Sequence, residues 1–235
     1  MSQLLDGRIA LITGASRGIG AAVAERFATE GADLILVART VGGLEEVDDR
    51  IREIGGPATL VALDVSDGTG IDRLGSAIAE RHGRLDILVG NAADLGRLGP
   101  IAQFLPNEWE PVIDINLTAN WRLIRSFDPL LRLSDAGRAI FVTSSIARAP
   151  KAYWGAYAVS KAALEMLVRT YAAEIVKTSV RANLLDPGAV ATRMRAHAFP
   201  GENPETLPTP MAITDRFVEL ASPTCELNGE VVGVS

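Results

Sequence analysis

The chain is poor in the residues that would make it a metalloprotein, a disulfide-stapled domain or a binder of nucleic acid. Its 235 residues hold one cysteine, Cys225, and two histidines, His82 and His197. No internal disulfide can form, and no Cys/His cluster offers a metal-ligand spacing, so no metal is expected. Cys225 reads as a small filler near the last strand and His82, beside Gly83, as a helix-end residue. Lys and Arg number 23 against 29 Asp and Glu, a net charge of −6. That balance argues against a nucleic-acid or anionic-membrane partner, either of which calls for a clustered basic face. There is no run of 18 apolar residues, and the opening MSQLLDGRIALITG lacks the charged start, apolar middle and small-residue cleavage site of a signal peptide. The expectation is a cytoplasmic protein with one domain over residues 1–235, since no linker divides it and the length suffices for one large core.

What the chain does have is alternation. Apolar runs at Ile9–Thr13, Asp33–Ala38, Ala58–Leu63, Leu85–Val89, Arg138–Thr143, Val180–Leu185 and Glu230–Val234 read as buried strands. Helical patterns lie between them, at Ile19–Glu30, Leu44–Ile54, Ile71–Arg81, Glu108–Leu131, Trp154–Thr178 and Met211–Ala221. This order predicts an α/β fold of the Rossmann type, a doubly wound parallel sheet of about seven strands with helices on both faces. The first strand runs at once into Gly14-Ala15-Ser16-Arg17-Gly18-Ile19-Gly20 and an amphipathic helix. Glycines there permit a tight turn and close backbone approach, while free N–H groups and the helix dipole favour the pyrophosphate of a dinucleotide.

A second constellation is Tyr157 and Lys161, four apart in a stretch without proline from Trp154 to Lys177. Residues at that spacing share a helix face. A tyrosine is a poor acid or base near neutral pH unless a positive charge stabilises its phenolate, and Lys161 can be that charge.

With these motifs the sequence resembles the short-chain dehydrogenase/reductase family over nearly its whole length. Thr13-Gly14-x-x-x-Gly18-x-Gly20 is similar to that family's dinucleotide turn, and Tyr157 with Lys161 to its Tyr-x-x-x-Lys. The resemblance implies an adenine-contacting acid at Asp64, followed by Val65, and a catalytic asparagine at Asn116 in VIDINLTAN. It implies a catalytic serine at Ser144, which lies thirteen residues before Tyr157 and seven after Gly137. It implies cofactor contacts at Gly14, Ser16, Arg17, Gly18, Ile19, Gly20, Asn91 and Ala92. Further contacts follow from the turn Asp186-Pro187-Gly188-Ala189-Val190-Ala191-Thr192, in which Thr192 approaches the nicotinamide amide. Two departures stand out. Gly90-Asn91-Ala92-Ala93 replaces the usual Asn-Asn-Ala-Gly, removing a side chain that braces the central sheet; rigidity should change more than chemistry. The chain also stops at NGEVVGVS where relatives commonly run on through a glycine-rich tail, which bears on oligomer contacts and pocket closure.

The activity implied is hydride transfer between a nicotinamide dinucleotide and a carbonyl or secondary alcohol. In this scheme Tyr157 is general acid and base, Ser144 holds the substrate oxygen, and Lys161 lowers the tyrosine pKa and bonds the nicotinamide ribose. Asn116 would hold a water leading to solvent. An acid after the second strand would repel a 2′-phosphate, but Ala38 stands there, followed by Arg39, and Arg17 lies in the turn; NADP(H) is expected over NAD(H). Expected pocket walls are Asp94, Leu95, Ile146, Arg148, Tyr153, Trp154 and the segment Val190–Ala212. Four prolines, Pro200, Pro204, Pro208 and Pro210, should keep Arg193–Pro210 irregular, the character of a substrate lid at about 190–212. The family pairs the helices at Glu108–Leu131 and Trp154–Thr178 across a two-fold axis, implying a homodimer or homotetramer. The alternatives are an NAD-linked alcohol or polyol dehydrogenase, and a non-catalytic dinucleotide sensor of the same fold; the presence of Asn116, Ser144, Tyr157 and Lys161 together speaks against the sensor.

Overall fold

In the computed structural model, which describes residues 3–56 and 58–234, the first apolar run becomes strand β1 (Ile9–Thr13), buried along its whole length. The expected domain span of 1–235 runs beyond the described residues at both ends. Side chains alternate across a strand, and here Ala10 and Ile12 enter one core while Ile9 and Leu11 enter another. A strand buried on both faces belongs inside a parallel sheet covered by helices on each side. β1 occupies that place. With β2 (Asp33–Ala38), β3 (Thr59–Ala62), β4 (Ile87–Gly90), β5 (Arg138–Val142), β6 (Arg181–Asp186) and β7 (Val231–Gly233) it forms a seven-stranded parallel sheet in the order β3-β2-β1-β4-β5-β6-β7.

The helices are α1 (Gly18–Thr29), α2 (Val41–Ile54), α3 (Gly68–His82), α4 (Pro106–Ile113), α5 (Ala119–Leu131), α6 (Gly155–Glu174), α7 (Arg193–Ala198) and α8 (Thr214–Ala221). One core joins the sheet to α1, α2 and α8 through Phe27, Val47 and Phe217, and the other joins it to α3, α5 and α6 through Ile71, Phe127 and Val168. Cys225 packs at the edge of the first core as a free thiol. Strand order reverses between β1 and β4, so the connections leaving their carboxyl ends part and open a crevice. No helix among the described residues is long and apolar enough to cross a membrane.

Three expected segments are built differently. The single helix expected over Glu108–Leu131 is α4, then a π-helical turn at Asp114–Thr118, then α5, with Pro111 inside α4. A π turn widens the backbone and releases a carbonyl from the regular ladder. The segment expected to be irregular from Arg193 contains α7, because the Thr192 hydroxyl accepts from the Arg195 N–H at 3.2 Å and caps it. The helix expected at Met211–Ala221 opens as a 3₁₀ turn over Met211–Ile213 before α8 begins. α3 stops at His82 because Gly83 takes a left-handed φ of 72°.

The missing brace at Gly90 has a local substitute. Asn120, on α5, fills the space above it: a Cβ on Gly90 would fall 2.5 Å from Asn120 Oδ1 and 2.5 Å from Phe141 Cδ1. Gly90→Ala should therefore destabilise the fold by about 1–3 kcal/mol through overpacking. Adding Asn120→Ala should recover part of that loss, since it removes one of the two clashes. Urea unfolding midpoints of the single and double variants measure the coupling; strictly additive losses would show that Asn120 does not fill the Gly90 site.

Candidate active site

The turn after β1 admits glycine at two positions for want of space. At Gly14, with φ +66°, a Cβ would fall 2.9 Å from the Ala92 Cα; at Gly20 it would fall 2.3 Å from the Gly14 carbonyl oxygen. The backbone of the turn thus lies directly against the β4 connection. Arg17, the residue preceding α1, makes no side-chain cap to the helix. Gly18 and Ile19, in the first turn of α1, line the crevice, an arrangement that fits a dinucleotide pyrophosphate at a helix start. Thr13 stitches the crevice floor: its hydroxyl donates to the Val89 carbonyl at 3.1 Å and accepts from the N–H groups of Asn91 and Ala92 at 3.0 and 3.1 Å. The Asn91 amide returns to the carbonyl of Thr13 at 2.9 Å.

From this turn a cavity of about 610 Å³ runs past Arg39, Asp64 and Val65, over Asn91 and Ala92, to Ser144, Tyr157 and Lys161. Pro187, Gly188, Val190 and Thr192 close its far side. Of the site residues expected from sequence, Gly20 and Asn116 alone lie outside the lining, buried behind it. At the adenosine end the Asp64 carboxyl is held below its ordinary range: burial works against this, but the Ser66 N–H and hydroxyl, at 2.9 and 2.8 Å, and the Arg39 charge outweigh it. Arg39 lies 3.7 Å from Asp64 and is well exposed. Such a pair is weak and leaves the guanidinium free to turn.

At the other end α6 presents Tyr157, Lys161, Glu165 and Val168 on its buried face, the three- and four-residue spacing of one helical stripe. Lys161 is buried, and its Nζ donates to the Val142 carbonyl at 2.8 Å while lying 5.7 Å from the centroid of the Tyr157 ring. Burial pulls its pKa down to about 8. Tyr157 is pushed up to about 12 by burial, partly offset by the hydrogen bond to the Ser144 side chain and reinforced by the charge of Asp186. The ammonium is engaged by a backbone carbonyl beneath the ring, and desolvation of the phenolate dominates. The phenol accordingly keeps its proton, beside Ser144 in the lining of the same cavity.

Asn116 is buried behind the cavity wall. Its Oδ1 accepts from the Asp94 N–H at 2.8 Å, and its Nδ2 donates to the Asp94 carbonyl at 2.8 Å and to the Ser160 hydroxyl at 3.0 Å. The side chain is a brace between the β4 connection and α6. Its backbone carbonyl, within the π turn, accepts from the Asn120 amide at 2.8 Å. Asn120 escaped the sequence reading because its partner is a space, the one left by Gly90.

Of the expected walls, Asp94, Leu95, Trp154 and Val190 line the cavity, and Ile146, Arg148 and Tyr153 do not. Tyr153 takes a left-handed φ of 73° and its ring stands in solvent. The Arg148 guanidinium turns instead to Glu165 and Asp186. The lid contributes Met194, Arg195, His197 and Phe199. Phe199 packs 5.7 Å from Trp154, whose ring in turn meets Tyr157 edge-on at 6.0 Å. Lys151 and Arg195 lie 4.5 and 3.8 Å from the Phe199 ring centroid. Phe199 carried no sequence signal beyond its place in the lid. Among the described residues no group of three or more His, Cys, Asp or Glu is arranged to hold a metal.

Known proteins agree with this geometry. The profile of the family described as short chain dehydrogenase matches residues 8–203. The oxidoreductase YciK of Escherichia coli (strain K12) is 39% identical over 221 residues, covering 93% of this chain and 87% of that protein. The 2,3-dihydro-2,3-dihydroxybenzoate dehydrogenase of Bacillus subtilis (strain 168) is 34% identical over 199 residues, 85% of this chain and 76% of that protein. The crystal structure of a short chain dehydrogenase from Escherichia coli CFT073 complexed with NADPH superposes with a TM-score of 0.95 at 35% identity, covering 100% of both chains. With the glycine turn, the seven-stranded sheet and the tyrosine–lysine stripe on one crevice, the chain belongs to the short-chain dehydrogenase/reductase family of NAD(P)-dependent oxidoreductases.

Proposed function

We propose that this enzyme interconverts a carbonyl compound and a secondary alcohol with NADP(H), Tyr157 giving and taking the proton at the substrate oxygen. The observation that carries the reading is that Tyr157 and Ser144 line one end of the cavity whose other end is the glycine turn. A phenol with its pKa pushed up to about 12 keeps its proton across neutral pH and can deliver it to an oxygen that is gaining negative charge. The bound dinucleotide supplies the hydride to the carbonyl carbon or takes it back. Ser144 holds the substrate oxygen beside the phenol, and the Lys161 ammonium, buried beneath, stabilises the phenolate left after transfer. Asn116 acts by holding the loop of Asp94 against α6. The Trp154–Phe199 wall beside Tyr157 favours a substrate with a planar, apolar body next to its carbonyl. Exposed Trp121 on α5 and Met166 on α6 give the proposed homo-oligomer an apolar contact.

Tyr157→Phe removes one oxygen and little volume. Dinucleotide binding should survive while turnover falls about 10²- to 10⁴-fold. The check is nicotinamide absorbance in a screen of carbonyl compounds with both cofactors, beside a binding titration; near-normal turnover would reject the tyrosine mechanism.

For cofactor choice, Arg39 and Arg17 at the cavity rim and the absence of an acid at Ala38 favour a 2′-phosphate. A charge-assisted contact is worth about 1.5–3 kcal/mol, so NADPH should bind roughly tenfold or more tightly than NADH. Ala38→Asp with Arg39→Leu should reverse the order. Equal affinities by nicotinamide fluorescence in the unmodified protein would put the NAD-linked alternative first.

We further propose that residues 190–212 act as a substrate lid, with α7 and Phe199 as its inner face. Amide hydrogen exchange in this segment should slow when cofactor and substrate are both present; identical exchange in both states would make it a fixed wall.

A further inference from the structure

Arg148, expected in the substrate wall, is engaged elsewhere. It reaches from the loop after β5, four residues beyond Ser144, and bonds two buried carboxylates, Glu165 of α6 and Asp186 at the end of β6. Both acids are nearly inaccessible, at 5% and 8% exposure. Each also holds a piece of the site. Glu165 accepts from the hydroxyl of Thr143, the residue before Ser144, at 2.8 Å, and Asp186 accepts from the N–H of Gly188, in the turn lining the cavity, at 3.1 Å. Glu165 stands one turn beyond Lys161 on the same stripe of α6 as Tyr157.

We propose that Arg148 is a positioning residue for the reaction: it balances the charges of Asp186 and Glu165 behind the proton-transfer group and ties the Ser144 loop to α6 and to the Pro187-Gly188 turn. The inference rests on the reading of Tyr157 as proton donor and acceptor. Two buried anions without a counterion are costly and would each disfavour a phenolate nearby. The charge inventory around Tyr157 supports this assignment. Lys161 and Glu165 come from its own helix, Asp186 from β6, Arg148 from the β5 loop and Asp94 from the β4 connection. On the lid side stand Lys151, Arg193, Arg195 and His197, with Arg195 paired to Glu202. Of the two anions on the sheet side, Asp186 already raises the Tyr157 pKa with Arg148 in place.

The test is the pH dependence of alcohol oxidation at saturating oxidised dinucleotide, whose positive nicotinamide ring brings the phenol pKa down from about 12 into the accessible range, so that activity rises as the phenol loses its proton. Removing a positive charge raises the phenol pKa, so in Arg148→Met the rising limb of kcat/KM should move up by about one pH unit. Arg148→Lys should restore most of the shift. In the opposite sense, Asp186→Asn keeps the acceptor for Gly188 and removes the negative charge; alone it should move the limb down, and with Arg148→Met it should return the limb toward the parent position. If Arg148→Met does not fold, as judged by circular dichroism, the single Asp186→Asn variant still decides the matter. Limbs that superpose in all folded variants, whatever their loss of rate, would overturn the proposal. A limb that persists in Tyr157→Phe would instead overturn the tyrosine reading beneath it, so the two failures are distinct.

Discussion

Thr13 joins β1 to β4 at the point where the strand order reverses, and the site is arranged around that joint. A doubly wound sheet has to open at its switch point, because the connections on either side leave in opposite directions. The buried hydroxyl keeps the opening narrow: it donates to Val89 and accepts from Asn91 and Ala92. Gly14 and Gly20 follow from the same closeness, since a Cβ at either would strike the neighbouring backbone. The helix start that fits a pyrophosphate and the strand ends that bear Ser144 and Pro187 therefore border one cavity.

Polar groups beneath that cavity form a second layer, set by the cost of burying charge. Lys161, Glu165 and Asp186 are all nearly inaccessible, and each has a partner: Val142 for the lysine, Thr143 and Arg148 for the glutamate, Gly188 and Arg148 for the aspartate. An unpartnered member would be destabilising by several kcal/mol. The same hydrogen bonds hold the Ser144 loop, α6 and the Pro187-Gly188 turn at fixed separation, so the interactions that make burial tolerable also set the geometry available for chemistry. Asn116 does the equivalent on the β4 side, using every donor of its amide on Asp94 and Ser160.

The sequence by itself determined the sheet, the glycine turn and the tyrosine–lysine stripe, because each is a local pattern with a local cause. Two-sided burial writes an unbroken apolar run, a close approach demands glycine, and a helix face repeats every three to four residues. Boundaries moved at the π turn around Asn116 and at α7, where the Thr192 cap starts a short helix ahead of the prolines. Only the tertiary structure decided what fills the space over Gly90, which way Arg148 and Tyr153 turn, that Phe199 meets Trp154, and that Lys161 rests on Val142 with Tyr157 pushed up by burial. These depend on groups 17 to 51 positions apart in sequence, or on a side chain whose direction a backbone angle sets, and on the desolvation each meets there. Neither spacing nor composition records them.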